Sequence, residues 1–227
     1  MSKPWTGTLE LQYIAQVPNN VHGEQLISQL ARAIPDRKWL FRFGRVPLDI
    51  LTSRSMYERL TASSTNLKTR CKVSVMAQGA AEVTPTYPHE ALLPVTNHFY
   101  HPVTRSTATR AVASIDAPVQ PVRITPLEDQ LIEPGLLDAW DFVTRNLFII
   151  KATPLVKSIT GLGPGAQALL KKLDDPSIPA DQRVDVNKAP RELTVQEWKN
   201  VVKAFNDWPF RPENLSIGHM FIEDGRY

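Results

Sequence analysis

The chain has 227 residues, 42% of them hydrophobic and 22% charged, a net charge of +3 and one cysteine. That length suits one large domain or two small ones. With Cys71 alone, an intrachain disulfide and a cysteine-based zinc site are excluded, and no apolar run approaches the roughly 18 residues of a membrane span.

In chain order, residues 1–20 lack the charged-then-apolar pattern of a secretory leader. Lys3 is their only basic residue, so they are no Arg-rich presequence either. Leu9–Val17 reads as a strand. In "LQYIAQVPNN" the apolar run stops at Pro18, Asn19 and Asn20, a sharp turn. Carboxyl ends of strands are where open α/β sheets hold their ligands. Glu24–Ile34 fits a helix, with Leu26, Ile27, Leu30 and Ala33 at helical spacing and Pro35 ending it. Val46–Leu51 is a second strand. Ser53 is placed to cap a helix over Ser53–Leu60. Residues 62–68 are small and polar, a loop, and Cys71–Ala81 is a short helix with Val73, Val75, Met76 and Ala80 available for packing. Glu82–Pro88 reads as an exposed strand, residues 84–105 as loop, and Arg110–Ile115 as a return strand.

The proline-rich, acidic run Pro118–Pro134 reads as a linker. Helices follow it. Leu136–Lys151 carries one apolar stripe of Leu137, Trp140, Val143, Leu147 and Ile150. Pro154 suits the first turn of the next helix. "GLGPGAQALLKKL" holds a turn at Gly161–Gly163 and then a helix, and Thr194 with Glu197 makes a capping box for a helix to Phe205. Strands alternating with helices, then helices alone, predict part of an open α/β sheet over residues 1–125 and a helical domain over 126–227.

Charge is uneven between these parts. Residues 1–125 hold 14 Lys/Arg against 8 Asp/Glu, and residues 126–227 hold 12 against 15. The first part therefore suits a polyanion, although a solvated basic surface has the same composition. Arg42 and Arg45 flank Phe43 and Gly44. Arg54 and Arg59 lie on the helix after the second strand. Lys68, Arg70 and Lys72 stand where a loop enters a helix, a junction that favours anions. Such cations make sequence-independent phosphate contacts.

Catalytic signals are few. "GLGPG" at 161–165 has no strand before it, so it reads as a helix–helix turn rather than a phosphate loop. His22, His89, His98, His101 and His219 are scattered, and His98 and His101 lack an acidic third ligand nearby, so no metal site is expected. Ser53, Ser74 and Ser158 have no nucleophile-elbow context. Asp174 and Asp175 read as a solvated pair.

"FGRVPLDILTSRSMYERLTA" and "KTRCKVSVMAQGAAEV" resemble the central region of the rRNA adenine dimethyltransferase family, which includes mitochondrial transcription factors. "NHFYHPVTRSTATRAVASID" is similar to its following Phe/Pro loop and return strand, without the usual second proline. "WDFVTRNLFIIKATPLVKSITGLGPGAQALL" and "NDWPFRPENL" resemble the carboxyl domain of the fungal mitochondrial RNA polymerase specificity factors of that family. The resemblance implies a Rossmann-like class I methyltransferase sheet, here from the fourth strand onward, followed by a small all-helical domain. Leu9–Val17 would be that fourth strand, exposed at the sheet edge. The Gly-rich S-adenosylmethionine loop and the acidic ribose partner would belong before it, so no cofactor-binding residue is assigned in this chain.

Active relatives carry Asn-Leu-Pro-Tyr or a close variant after the fourth strand, to bond the adenine amine and stack on the flipped base. Gln16, Val17, Pro18 and Asn19 match those positions. Gln16 offers an amide oxygen on a longer arm, and Asn19 supplies no ring. A lost stacking platform costs about 1–3 kcal/mol per base. Phe99 is the position for a second aromatic. The resemblance thus implies a non-catalytic factor of the mitochondrial matrix. It would bind mitochondrial RNA polymerase and promoter DNA or RNA, using Arg42, Arg45, Arg54, Lys68, Arg70 and Lys72 as nucleic-acid contacts. Trp140, Arg145, Trp208 and Arg211 would pack the helical domain and meet the polymerase. The alternative is an S-adenosylmethionine-dependent rRNA adenine dimethyltransferase.

Overall fold

The computed structural model of the chain describes Trp5, Thr6, residues 10–99 and residues 117–215. The predicted strand before the Pro18 turn forms β1, Tyr13–Gln16, shorter than the apolar run around it. It is joined by β2 (Leu48–Ser53), β3 (Ala81–Pro85) and β4 (Val119–Pro126) in the order β1-β2-β4-β3. β1 pairs with β2 in parallel, while β4 runs antiparallel to both β2 and β3. Among the described residues β1 is therefore an edge strand, as expected.

Residues 118–126 correct the sequence reading. Of these, Val119–Pro126 form a strand inside the sheet, not a linker. The register sets Leu48 opposite Ile124 and Ile50 opposite Val122, and all four are buried. These residues alternate with Asp49 and Leu51, so one face of the sheet is packed while the other carries Asp49, Leu51, Pro121 and Arg123. Pro121 removes one ladder donor. Its carbonyl accepts from Thr86 N–H, so the missing N–H faces β3, which ends at Pro85. The predicted return strand Arg110–Ile115 lies outside the described residues.

In the first unit the second helix starts at its predicted Ser53 cap, whereas the first starts three residues before the predicted Glu24. α1 (Val21–Ala33) is capped by Asn20, whose side-chain oxygen accepts from Gly23 N at 3.1 Å. It buries Ile27, Leu30 and Ala31. α2 (Arg54–Thr61) is capped by Ser53, whose hydroxyl accepts from Met56 N, and packs Met56 and Leu60 against β2 and β4. Gly23 has a second role. A Cβ there would sit 2.0 Å from the Pro18 carbonyl oxygen and 2.8 Å from Val17 Cγ1. Only glycine lets the first turn of α1 nest beneath the turn after β1.

The second unit is helical. α3 (Lys72–Ala80) opens it in sequence, followed by α4 (Leu137–Ile149) and, near the end, α7 (Val195–Asn206), with the short helices α5 (Leu155–Ser158) and α6 (Ala168–Leu173) between. The stripe Leu137, Trp140, Val143 and Leu147 is buried as expected, whereas Ile150 is 43% exposed because the helix ends before it. Phe142 stacks on Phe205 and Phe148 on Trp198, each at 5.3 Å between centroids. The predicted capping box is formed: Thr194 Oγ1 accepts from Glu197 N, and the Glu197 carboxylate accepts from Thr194 N. Trp140 and Trp208 are both buried. Arg145 sits over the Phe142 ring, and Arg211 donates to the Asn206 side chain.

The division between the units is discontinuous. One contains the described residues up to Thr61 and Ala80–Gln130; the other contains Ala62–Gly79 and the described residues from Leu131 onward. The sequence reading placed a single cut between residues 125 and 126. It did not anticipate that 62–79 belongs with the helices.

Gly23→Ala isolates the close approach beneath the turn. Helix propensity alone favours alanine over glycine by about 1 kcal/mol. The clash with Pro18 reverses the sign, and the substitution is expected to destabilise the chain by about 1–3 kcal/mol. A lower urea midpoint checks this; a raised midpoint contradicts it.

Candidate functional site

Backbone hydrogen bonds define the turn after β1. Val17 N donates to Leu51 O at 2.9 Å, which ties the turn to β2, and Asn20 N donates to Pro18 O at 2.9 Å, which closes it. Val17 is buried; Gln16, Pro18 and Asn19 are exposed. The first candidate residues therefore stand together at the carboxyl end of β1.

Beside them lies a concavity of about 400 Å³ on the less covered face of the sheet. Gln16, Leu51, Tyr87, Leu92, Phe99 and Pro121 line it, so it is mostly apolar. Phe99 is thus brought to the same hollow as Gln16. Asp49 is the carboxylate on this wall. Arg123 grips it through Nε and Nη2, both at 2.8 Å, and Gln12 also donates to it. The bonds to Asp49 raise the Arg123 guanidinium above its ordinary pKa. A carboxylate held this way orders the sheet face.

A second concavity of about 360 Å³ shares Tyr87 and Thr86 with the first and adds Arg54, His89, Glu90 and Gln120. Gln120 is buried and connects its walls. Its side-chain oxygen accepts from Arg54 Nη1 at 2.8 Å, and its nitrogen donates to Tyr87 O at 2.7 Å. Arg54 also pairs with Glu58 and lies over the Tyr57 ring. Arg54 is therefore half-exposed and oriented, with its charge partly answered. Tyr87 is 52% exposed at the junction of the two hollows. The sequence reading did not single out Tyr87 or Gln120. The signal for Tyr87 was an aromatic between two prolines in "PTYP".

The remaining basic candidates scatter. Arg42 is exposed before β2, and Arg45 is tied to Pro126 O and Glu128. Arg59 reaches Glu24 at 2.7 Å. These belong to the first unit; Lys68, Arg70 and Lys72 belong to the second. Lys68 is exposed, and Lys72 pairs with Asp141 at 2.6 Å. Arg70 is a correction. It is 1% exposed, and its guanidinium donates to Ala62 O at 2.6 Å and Leu193 O at 2.9 Å. Burial lowers its pKa from the usual arginine value, because water no longer stabilises the charge. Arg70 pins 62–79 to the loop before α7 and is not presented to a phosphate. Among the described residues no cluster of metal-ligating side chains occurs, and no helix is long and apolar enough to cross a membrane.

The sheet order, the turn after β1 and the helical unit together define a protein of the methyltransferase-like α/β class. Residues 7–203 match the family described as ribosomal RNA adenine dimethylase, and the chain belongs to that family. It is 28% identical over 196 residues to mitochondrial transcription factor 1 of Lachancea kluyveri, covering 84% of this chain and 54% of that protein. It is 25% identical over 211 residues to the mitochondrial dimethyladenosine transferase 1 of Vermamoeba vermiformis, covering 92% and 53%. The chain spans about half the length of the curated relatives it matches. The fold is similar to the crystal structure of a dimethyladenosine transferase from Plasmodium falciparum. The TM-score is 0.52 at 13% identity, over 89% of this chain and 70% of that one.

Two substitutions separate structural from surface cations. Arg70→Met leaves Leu193 O without its buried donor and is expected to cost about 1–3 kcal/mol. Lys68→Met is expected to stay within about 0.5 kcal/mol of the parent. Urea unfolding of both variants checks the assignment. Equal stabilities would contradict it.

Proposed function

We propose that the chain acts as a non-catalytic mitochondrial transcription initiation factor, assisting the mitochondrial RNA polymerase in promoter recognition and opening and binding nucleic acid. The observation that carries this reading is the turn at Gln16–Asn19. By resemblance it stands at the family's adenine site, and its residues include no aromatic ring of the kind such a site stacks on the base. The similarity to mitochondrial transcription factor 1 supports the same reading and a mitochondrial location.

The chemistry beside the turn agrees with holding rather than reacting. Gln16 presents an amide, which donates and accepts hydrogen bonds but moves no proton at neutral pH. Asp49 is committed to Arg123 and Gln12. The resemblance sets the S-adenosylmethionine loop and its ribose carboxylate ahead of β1, so none of the described residues is assigned to that group. No methyl transfer is derived for them. The hollows at the carboxyl ends of β1 and β2 instead offer Tyr87 and Phe99 as flat apolar surfaces and Arg54 as an oriented cation. An unpaired base and its phosphate are the ligand this combination suits.

The rival reading is adenine dimethylation of small-subunit rRNA, favoured by the family and by the similarity to the Vermamoeba transferase. Run-off transcription separates the two. Mitochondrial RNA polymerase of the same organism is placed on a linear duplex promoter with and without the chain. Added chain is expected to raise promoter-specific transcript several-fold. The same preparation with radiolabelled S-adenosylmethionine and an rRNA hairpin is expected to incorporate no label above a protein-free control. Repeated methyl turnover, or no gain in transcript, contradicts the proposal.

A further inference from the structure

Four of the five tryptophans, Trp5, Trp140, Trp198 and Trp208, are buried; Trp39 is 53% exposed. It begins a 3-10 turn, Trp39–Phe43, that enters β2 from its amino end, beside the start of β1. This is the opposite end of the strands from Gln16 and Ser53. The turn is anchored from within by Phe41, which is buried, and closed by Gly44 at φ 126°. It displays Phe43, 56% exposed, as well as Trp39.

The backbone is bent to make this display. Arg37 and Trp39 both lie in the left-handed region, at φ 51° and 54°. Neither is glycine, and L-residues enter this region only against steric resistance. The surroundings hold them there. The Arg37 guanidinium lies 4.6 Å over the ring of Trp5, whose indole N–H donates to the carbonyls of Leu127 and Glu128. Tyr13 meets Trp39 edge-on at 6.0 Å between centroids. Thus the exposed indole is held in place at one edge rather than left to rotate.

Its neighbours are cations. Arg37, Lys38 and Arg42 are exposed, and Arg45 stands at the end of the turn. Lys38 pairs with Asp36, and Arg45 with Glu128. Among the described residues Arg42 has no ion-pair partner. The 3-10 repeat of three residues sets Arg42 on the same side as Trp39, about 6 Å further along the axis. An apolar protein pocket would have to bury these charges to reach the rings. A polyanion that carries its own flat apolar groups meets both demands at once.

We infer that the Trp39–Phe43 turn is a single-stranded nucleic-acid contact, with a base stacked on Trp39 and a phosphate held by Arg42. It deepens the nucleic-acid reading above by adding a surface at the far end of the strands. It needs an unpaired strand, because a base inside a duplex has no free face for the indole.

The test is tryptophan emission of the whole chain during titration with a twelve-residue oligothymidylate at fixed salt. The exposed indole is expected to be quenched as the oligonucleotide binds, and a duplex of equal length to quench it less. Trp39→Ala is expected to weaken binding on the order of 5- to 150-fold, the range for one lost stacked base. Trp39→Phe, which keeps a ring, is expected to retain most of the affinity. Arg42→Ala is expected to flatten the log–log salt dependence by about 0.7. Unchanged oligonucleotide affinity in Trp39→Ala overturns the inference. So does an indole that oligothymidylate leaves unquenched while polymerase alone shifts its emission, which marks a protein-docking surface instead. The oligothymidylate arm contains no polymerase, so its failure and a failed run-off assay are separate results.

Discussion

β4 is the constraint on which the first unit depends. It lies between β2 and β3, which among the described residues have no other link to one another within the sheet. Its residues complete the buried layer through Val122 and Ile124. Its first turn of chain also builds the candidate site, since Gln120 ties Arg54 at the start of α2 to the Tyr87 backbone. Arg54 N further donates to Pro118 O at 2.8 Å. Sheet formation and site formation are therefore one event: a chain that fails to seat β4 has neither the packed face nor the hollow at the strand ends.

That same strand was the least legible in the sequence. Pro118, Pro121 and Pro126 within nine residues read as a linker, because proline removes ladder donors. Tertiary context overrides the local signal. The donor missing at Pro121 points toward the end of β3, and Pro126 closes its own strand. Arg70 was misread for a related reason. A basic residue at a loop-to-helix junction looks like an anion ligand, and nothing local reveals two carbonyls, Ala62 and Leu193, that need its donors. Features whose causes are local were read correctly: the Ser53 cap, the Thr194–Glu197 box, and the stripe of α4 up to Leu147. Gly23 stands between these cases. The turn was visible at Pro18–Asn20, but the need for glycine arises only when α1 packs beneath it.

The candidate site follows the same division. The turn at Pro18–Asn20 was legible because proline and asparagine end the apolar run. Tyr87 was not, since its place beside Phe99 requires β3, β4 and the following loop to be folded. The result is a turn that presents an amide at Gln16 and a polar residue at Asn19, beside a hollow lined by the aromatics Tyr87 and Phe99. Methyl transfer demands a donor and a target nitrogen held in line. Capturing an unpaired base demands only a flat surface and a nearby cation. On this account, the fold serves the second, less exacting task.

Opening of promoter DNA reports that task most directly. A duplex promoter carrying 2-aminopurine at the start site brightens when the base leaves its stack. The account predicts a rise when polymerase and the chain are both present, and little with either alone. An equal rise with polymerase alone, or none with both together, would contradict it.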